Sequence, residues 1–210
     1  MLPQRWRGGV AVLDRRGGPD SCHLVLFASE TTIGVEDRSR RDQRPYWNLA
    51  IDMVRRLRHP PLREREWLVG INPMDHRTQH QLHLHGGRIS PPLRAALIQA
   101  GQDSRFHSLV IQVADGPGEQ PQLHRFRVRW IADAQPGSGN AGQDLSQRSP
   151  FALVSLDAGE EAMPRAAILL SRAAGGAGYH LLYSLDGISA EGLIDFRGAC
   201  QLRDPGPAGG

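Results

Sequence analysis

The sequence predicts an α+β fold, an antiparallel sheet with flanking helices, on three observations. Short apolar runs alternate at a period of two, as in residues 81–85 and 124–131, which is the signature of strands with distinct faces. Two stretches instead space their apolar residues at helical intervals: Tyr46, Trp47, Ala50, Ile51, Val54 and Leu57, and then residues 93–100. Glycine- and proline-rich connections as short as residues 15–20 join neighbouring strands, and links of that length make hairpins rather than parallel crossovers.

The elements follow in order. Residues 10–14 and 23–27 flank Arg15-Arg16-Gly17-Gly18-Pro19-Asp20 and read as a hairpin; residues 28–44 are polar and read as a long loop. A helix starts near Tyr46 and is stopped by Pro60-Pro61. Residues 67–71 form a short buried strand, residues 72–80 a loop, and the strand that follows is expected to end early at Gly86-Gly87. Pro91-Pro92 open a second helix that Gly101 closes. Residues 108–113 and 124–131 are strands, the second with Phe126, Val128 and Trp130 facing in and Arg125, Arg127 and Arg129 facing out. Residues 134–149 are a flexible loop; Gly137, Gly139 and Gly142 there match the letters of a dinucleotide fingerprint but open no apolar helix. Residues 151–156, 166–170 and 179–184 read as strands, residues 190–196 as a short helix, and 204–210 as a disordered tail.

Size and composition bound the function. The 210 residues suffice for a proper core, and 40% hydrophobic with 22% charged residues is ordinary for a globular chain. All 25 basic residues are arginine, yet the net charge of +3 is too small for a nucleic-acid footprint, so no nucleic-acid partner is expected. The first residues, MLPQRWRGG, contain no apolar signal core, and no run approaches the roughly 18 residues a membrane helix needs, so the chain as given reads as soluble. Cys22 and Cys200 are compatible with a pair without requiring one.

One internal echo runs through the chain. VLDRRGGPDSCHLVL and LLSRAAGGAGYHLLY match without gaps at an offset of 157, pairing Leu13 with Leu170, Arg15 with Arg172, Gly18 with Gly175, His23 with His180 and Leu24 with Leu181. Two hairpins converging on one turn chemistry, or a degenerate second half without a histidine strand, both account for it.

The chemistry concentrates in NPMDHRTQHQLHLHGGRI, residues 72–89, where four of nine histidines fall within ten residues. On a strand, Gln81, His83 and His85 share one face at intervals of about 7 Å, with Leu82 and Leu84 on the core side. Three readings are open. His83 is a nucleophile toward phosphorus, since neutral imidazole with an ordinary pKa of about 6.5 needs no prior activation; Arg77 and Thr78 are then phosphate ligands. Alternatively His83 and His85 join His76, His80 or Asp75 at a metal, or the row is a solvated sheet face.

INPMDHRTQHQLHLH followed by RISPPLRAAL resembles the CDP-diacylglycerol pyrophosphatase family (CDP-diacylglycerol phosphatidylhydrolases), and more broadly the histidine-triad (HIT) superfamily with its strand of alternating histidines. The likeness extends to residues 9–27, Pro45-Tyr46-Trp47, Leu123-His124-Arg125-Phe126, Arg148-Ser149-Pro150-Phe151 and residues 189–200. It implies a single HIT-like domain over residues 9–203, with a core half at about 9–115 and a β-rich half at about 122–203. It also implies hydrolysis of CDP-diacylglycerol to CMP and phosphatidate. His83 is then the nucleophile at the middle triad position, and His85 contacts the phosphoryl oxygens. Gln81 stands where the superfamily usually has a first histidine, and Asn72, Arg77, Thr78 and Gln79 position phosphates. HIT-type enzymes generally need no metal, so neither metal nor cofactor is expected.

The expected partner is a lipid-nucleotide substrate, with peripheral membrane contact and a location at the bacterial inner membrane or its periplasmic face. A homodimer is one expectation for the oligomeric state; an internal half-repeat that replaces the partner is the other. A soluble nucleotide diphosphate and a silent nucleotide-binding module remain as alternative functions.

Overall fold

The computed structural model describes residues 4–6, 9–14, 23–28, 34–36, 44–55, 57–58, 66–77, 81–114, 120–132, 149–172, 178–195 and 201–202. Its strands are β1 (Gln4–Trp6), β2 (Gly9–Asp14), β3 (His23–Ala28), β4 (Leu57–Arg58), β5 (Trp67–Ile71), β6 (His83–Ile89), β7 (His107–Val113), β8 (Gln122–Ala132), β9 (Ala167–Arg172), β10 (Gly178–Ser184), β11 (Ile194–Asp195) and β12 (Gln201–Leu202). The helices are α1 (Arg44–Arg55), α2 (Pro91–Ala100) and α3 (Pro150–Ala158), with 3-10 turns at Met74–His76, Glu160–Arg165 and Glu191–Leu193. The α+β class is borne out. One ten-stranded antiparallel sheet runs β1-β2-β3-β6-β5-β9-β10-β8-β7, with β11 beside β6; β4 and β12 form a separate pair.

Both faces of this sheet are covered, because each central strand is apolar on both sides. On one face α1 packs Tyr46, Trp47, Ile51, Met53 and Val54 onto Leu24, Leu26, Val69, Leu82 and Leu84, and α3 adds Phe151, Leu153 and Val154 over Leu170 and Leu181. On the other, Leu93 and Leu97 of α2 join Ile188, Ala190, Leu193 and Ile194 over Leu68, Phe126, Val128 and Leu169. Leu82 and Leu84 are thus core residues as expected, while His83 and His85 on the other face are buried, with Glu191 of the turn before β11 beside His85, instead of lying open.

Three further expectations change. Strand β6 does not end at Gly86-Gly87 but continues to Ile89. Gly86 is there because α1 lies so close that a Cβ at this position would come within 2.4 Å of Val54 Cγ2. The stretch 151–156 is helical, not extended: Ser149 accepts the Ala152 N–H at 3.2 Å and Pro150 occupies the first turn, a start signal that outweighs the apolar run behind it. The segment expected as a helix over 190–196 is one 3-10 turn followed by β11, drawn into extension by pairing Ile194 with Ile89.

The two echoing hairpins adopt one register. Leu13 pairs with Leu24 in β2–β3, and Leu170 pairs with Leu181 in β9–β10. The order β2-β3-β6-β5 is followed across the sheet by β9-β10-β8-β7, so each hairpin is flanked by a second pair in the same sense. Val25 lies opposite His85, and its counterpart Leu182 lies opposite Val128, so valine holds the place of His85 in the later half. Among the described residues no helix is long and apolar enough to cross a membrane. The Gly137–Gly142 loop, Cys22, Cys200 and the 204–210 tail lie outside the described residues.

Candidate active site

Strand β6 aligns His83 and His85 on one face, with β3 on one side and β5 on the other. Both imidazoles are buried, His83 at 7% and His85 at 2% exposure. Their rings meet edge to face, with centroids 5.0 Å apart. His83 Nδ1 lies 2.8 Å from the carbonyl oxygen of Gln81. A carbonyl only accepts, so the ring proton sits on Nδ1 and Nε2 keeps its lone pair. Phe27, 5.7 Å away centroid to centroid, packs beside the ring.

His85 is held from three sides. Its Nδ1 is 2.9 Å from His23 Nε2, with the two rings stacked, and 3.3 Å from Glu191 Oε1. Its Nε2 is 3.4 Å from the Asn72 amide nitrogen. Asn72 has a fixed orientation: Oδ1 accepts the Ala190 N–H at 2.7 Å, and Nδ2 donates to Glu191 Oε2 at 2.7 Å. The end of β5, the third position of β6, the start of β3 and the 3-10 turn before β11 therefore converge on one polar knot. Asn72, expected among the phosphate ligands, is 2% exposed, lines the cleft beside His83 and has its amide engaged in this knot.

Beside His83 is a small cleft lined by Gly34, Ile71, Asn72, Arg77, Gln81, Leu82 and His83. Arg77 reaches it with its guanidinium in a bidentate ion pair with Glu36, whose Nη1–Oε2 contact is 2.9 Å. Gln81 is exposed, and its side-chain amide donates to the Ala28 carbonyl, tying the entry of β6 to the end of β3. Thr78, Gln79 and His80 lie outside the described residues. Asp75 and His76, the candidate metal ligands upstream, are exposed on the 3-10 turn. Among the described residues no three His, Cys, Asp or Glu side chains are grouped to hold a metal ion.

Three participants escaped the sequence reading. His23 was visible only as a hairpin residue, Glu36 only as part of a polar loop, and Glu191 only within the stretch 189–200 that carried the resemblance. The matching histidine of the echo, His23 against His180, was the one available hint for the first.

A family model described as CDP-diacylglycerol pyrophosphatase matches residues 4–202 of the chain, which includes every element described above. The chain belongs to the CDP-diacylglycerol pyrophosphatase family. It is accordingly a hydrolase of the phosphoric anhydride type, and the family's substrate is a lipid nucleotide. No curated protein matches the chain.

Proposed function

We propose that the chain cleaves CDP-diacylglycerol to CMP and phosphatidate through a nucleotidyl-histidine intermediate on His83, as a HIT-like enzyme. The observation that carries this reading is the His83 Nδ1–H bond to the Gln81 carbonyl at 2.8 Å, which leaves Nε2 as an unprotonated nucleophile beside the cleft. His83 Nε2 attacks the cytidylyl phosphorus, the P–O bond to the second phosphate breaks, and phosphatidate leaves with the bonding pair. Water then attacks the same phosphorus, the P–N bond returns its pair to Nε2, and CMP is released. The backbone carbonyl stabilises the charge that the ring acquires in the intermediate.

His85, roughly a ring's width away, contacts the phosphoryl oxygens in this reading, and Arg77, Thr78 and Gln79 contribute to phosphate binding. The identical register of the two hairpins supports residues 9–203 as one HIT-like domain with a degenerate later half, which has Val128 where the first half has His85. A lipid substrate implies that the cleft works against a membrane surface, at the inner membrane or its periplasmic face.

The test is CMP release from detergent-dispersed CDP-diacylglycerol by wild type and His83→Ala, with soluble CDP-alcohols and ADP-sugars alongside. Release from the lipid substrate that is lost in the variant is expected. Full activity in His83→Ala contradicts the nucleophile, and preference for the soluble diphosphates contradicts the lipid substrate.

A further inference from the structure

We infer that Glu191 is a positioning residue of the active site, which fixes the ring of His85 and holds it as an imidazolium while the diphosphate is bound. This rests on the nucleotidyl-histidine reading above and deepens it.

Asn72 faces His85 with a fixed orientation. Its Oδ1 accepts the Ala190 N–H at 2.7 Å, so its Nδ2 is the atom that faces His85 Nε2 at 3.4 Å. The Nδ2–H not given to Glu191 has both His85 Nε2 and the His76 carbonyl at 3.4 Å from its nitrogen, so a donor faces Nε2. With the Glu191 carboxylate, which only accepts, near Nδ1, the ring proton without substrate lies on Nδ1. Nδ1 faces Glu191 Oε1 at 3.3 Å and His23 Nε2 at 2.9 Å. Against the burial of the ring, which opposes its charge, the Glu191 carboxylate near Nδ1 favours a second proton on Nε2. A phosphate anion on the Nε2 side acts in the same direction. The diphosphate therefore binds with uptake of a proton on Nε2, which then donates to a phosphoryl oxygen in a charge-assisted hydrogen bond.

Among the described residues His85 meets His23 from β3, His83 from β6 itself and Glu191 from the turn before β11. Glu191 supplies the negative charge among these, and the Asn72 amide clamps its second oxygen at 2.7 Å. The other oxygen stands at ion-pair distance, 3.3 Å, from His85 Nδ1, whose hydrogen bond is to His23 Nε2 at 2.9 Å.

The experiment compares pH profiles of kcat/KM for wild type, Glu191→Gln and Glu191→Asp on CDP-diacylglycerol. Glu191→Gln keeps a hydrogen-bonding side chain for Asn72 but removes the charge, so the alkaline limb moves down by about one pH unit or more. Glu191→Asp keeps the limb in place even where the rate falls. An unshifted limb in Glu191→Gln, with activity lowered equally at all pH values, overturns the inference and leaves Glu191 a structural residue.

Should Glu191→Gln fail to fold, wild type decides. Calorimetric titration with CMP at about pH 8, in two buffers of different ionisation enthalpy, is expected to give uptake of close to one proton, and zero uptake overturns the inference. Failure of the underlying reading has a different signature, namely unimpaired turnover by His83→Ala.

Discussion

At the residue scale the site depends on which nitrogen of each imidazole carries its proton, and on the partners that decide it. His83 takes its tautomer from a carbonyl two residues upstream, so the proposed nucleophile is set by local backbone geometry and not by a distant acid. Arg77 gives a sharper test of the cleft electrostatics. Its side chain is 6% exposed and paired with Glu36. Removing it in Arg77→Ala strands a carboxylate beside an anionic substrate, and KM is expected to rise about tenfold, equivalent to about 1.4 kcal/mol. Glu36→Ala/Arg77→Ala is expected to recover much of that loss, since the double variant lacks the stranded charge. Steady-state KM values for the single and double variants check this, and a double variant no better than Arg77→Ala would mean that the stranded Glu36 carboxylate does not oppose the substrate and that the loss is the phosphate contact alone.

The residue scale also shows what a sequence can disclose. Gln81, His83 and His85 were legible because a strand's period of two is visible in the letters themselves. Glu191 and His23 stand 106 and 62 positions from His85, and nothing local to either residue marks it as a ligand of that ring. Arg77 was legible as a residue near phosphate, but not as half of an ion pair, because Glu36 reaches it across a loop.

At the element scale, strand β6 and helix α1 are matched at a single glycine. Gly86→Ala would drive a methyl group to 2.4 Å from Val54 Cγ2, and overpacking of this kind costs about 1–3 kcal/mol. Urea unfolding of the variant checks it, and an unchanged midpoint would mean that α1 moves away freely. Helix α3 depends on its first turn. Ser149→Ala removes the acceptor for the Ala152 N–H at a buried position and is expected to cost about 1 kcal/mol, read from the same unfolding curves. At its far end α3 is tied to the sheet by Asp157, which accepts the Tyr183 hydroxyl at 2.7 Å and pairs with Arg127 at 3.2 Å. Burial, and then the Asp157 carboxylate, push the Tyr183 phenol up to about 12, so it remains a donor through the neutral range.

This helix is also where sequence periodicity misled. Phe151, Ala152, Leu153 and Val154 form an apolar run too short to tell a buried strand from a buried helix, and the cap at Ser149 was the signal that distinguished them. The strands at 67–71, 167–172 and 178–184 were read nearly to the residue, because turn residues bound each apolar run.

At the scale of the whole molecule, one continuous sheet carries both halves, and its stability has a pH signature. His180 lies in the later hairpin at the position of His23 in the first. Its Nε2–H donates to the Gly101 carbonyl at 2.8 Å, while its Nδ1 is buried without a hydrogen-bond partner among the described residues. Burial holds its pKa below the ordinary value of 6.5. The unfolded chain therefore binds a proton that the folded one refuses, and stability falls as pH drops below about 6.5 toward the depressed folded value. Between about pH 7.5 and about pH 5.5 the urea midpoint of wild type is expected to fall more than that of His180→Gln, which keeps a donor for Gly101. Parallel falls in both would show that His180 is not the group responsible.

The histidine pair distinguishes the two halves that the repeated register relates. The first half carries His83 and His85, and the later half fills the position of His85 with Val128 and packs α2 over it.

The measurement that tests the central claim most directly is a search for the covalent intermediate. CDP-diacylglycerol labelled in its cytidylyl phosphate is mixed with the protein, quenched in alkali to preserve phosphorus–nitrogen bonds, and the protein examined by intact mass and peptide mapping. A cytidylyl group on His83, absent from His83→Ala and formed at least as fast as CMP appears, is the predicted result. Turnover at full rate with no label on the protein, or label on His85 instead, would contradict it.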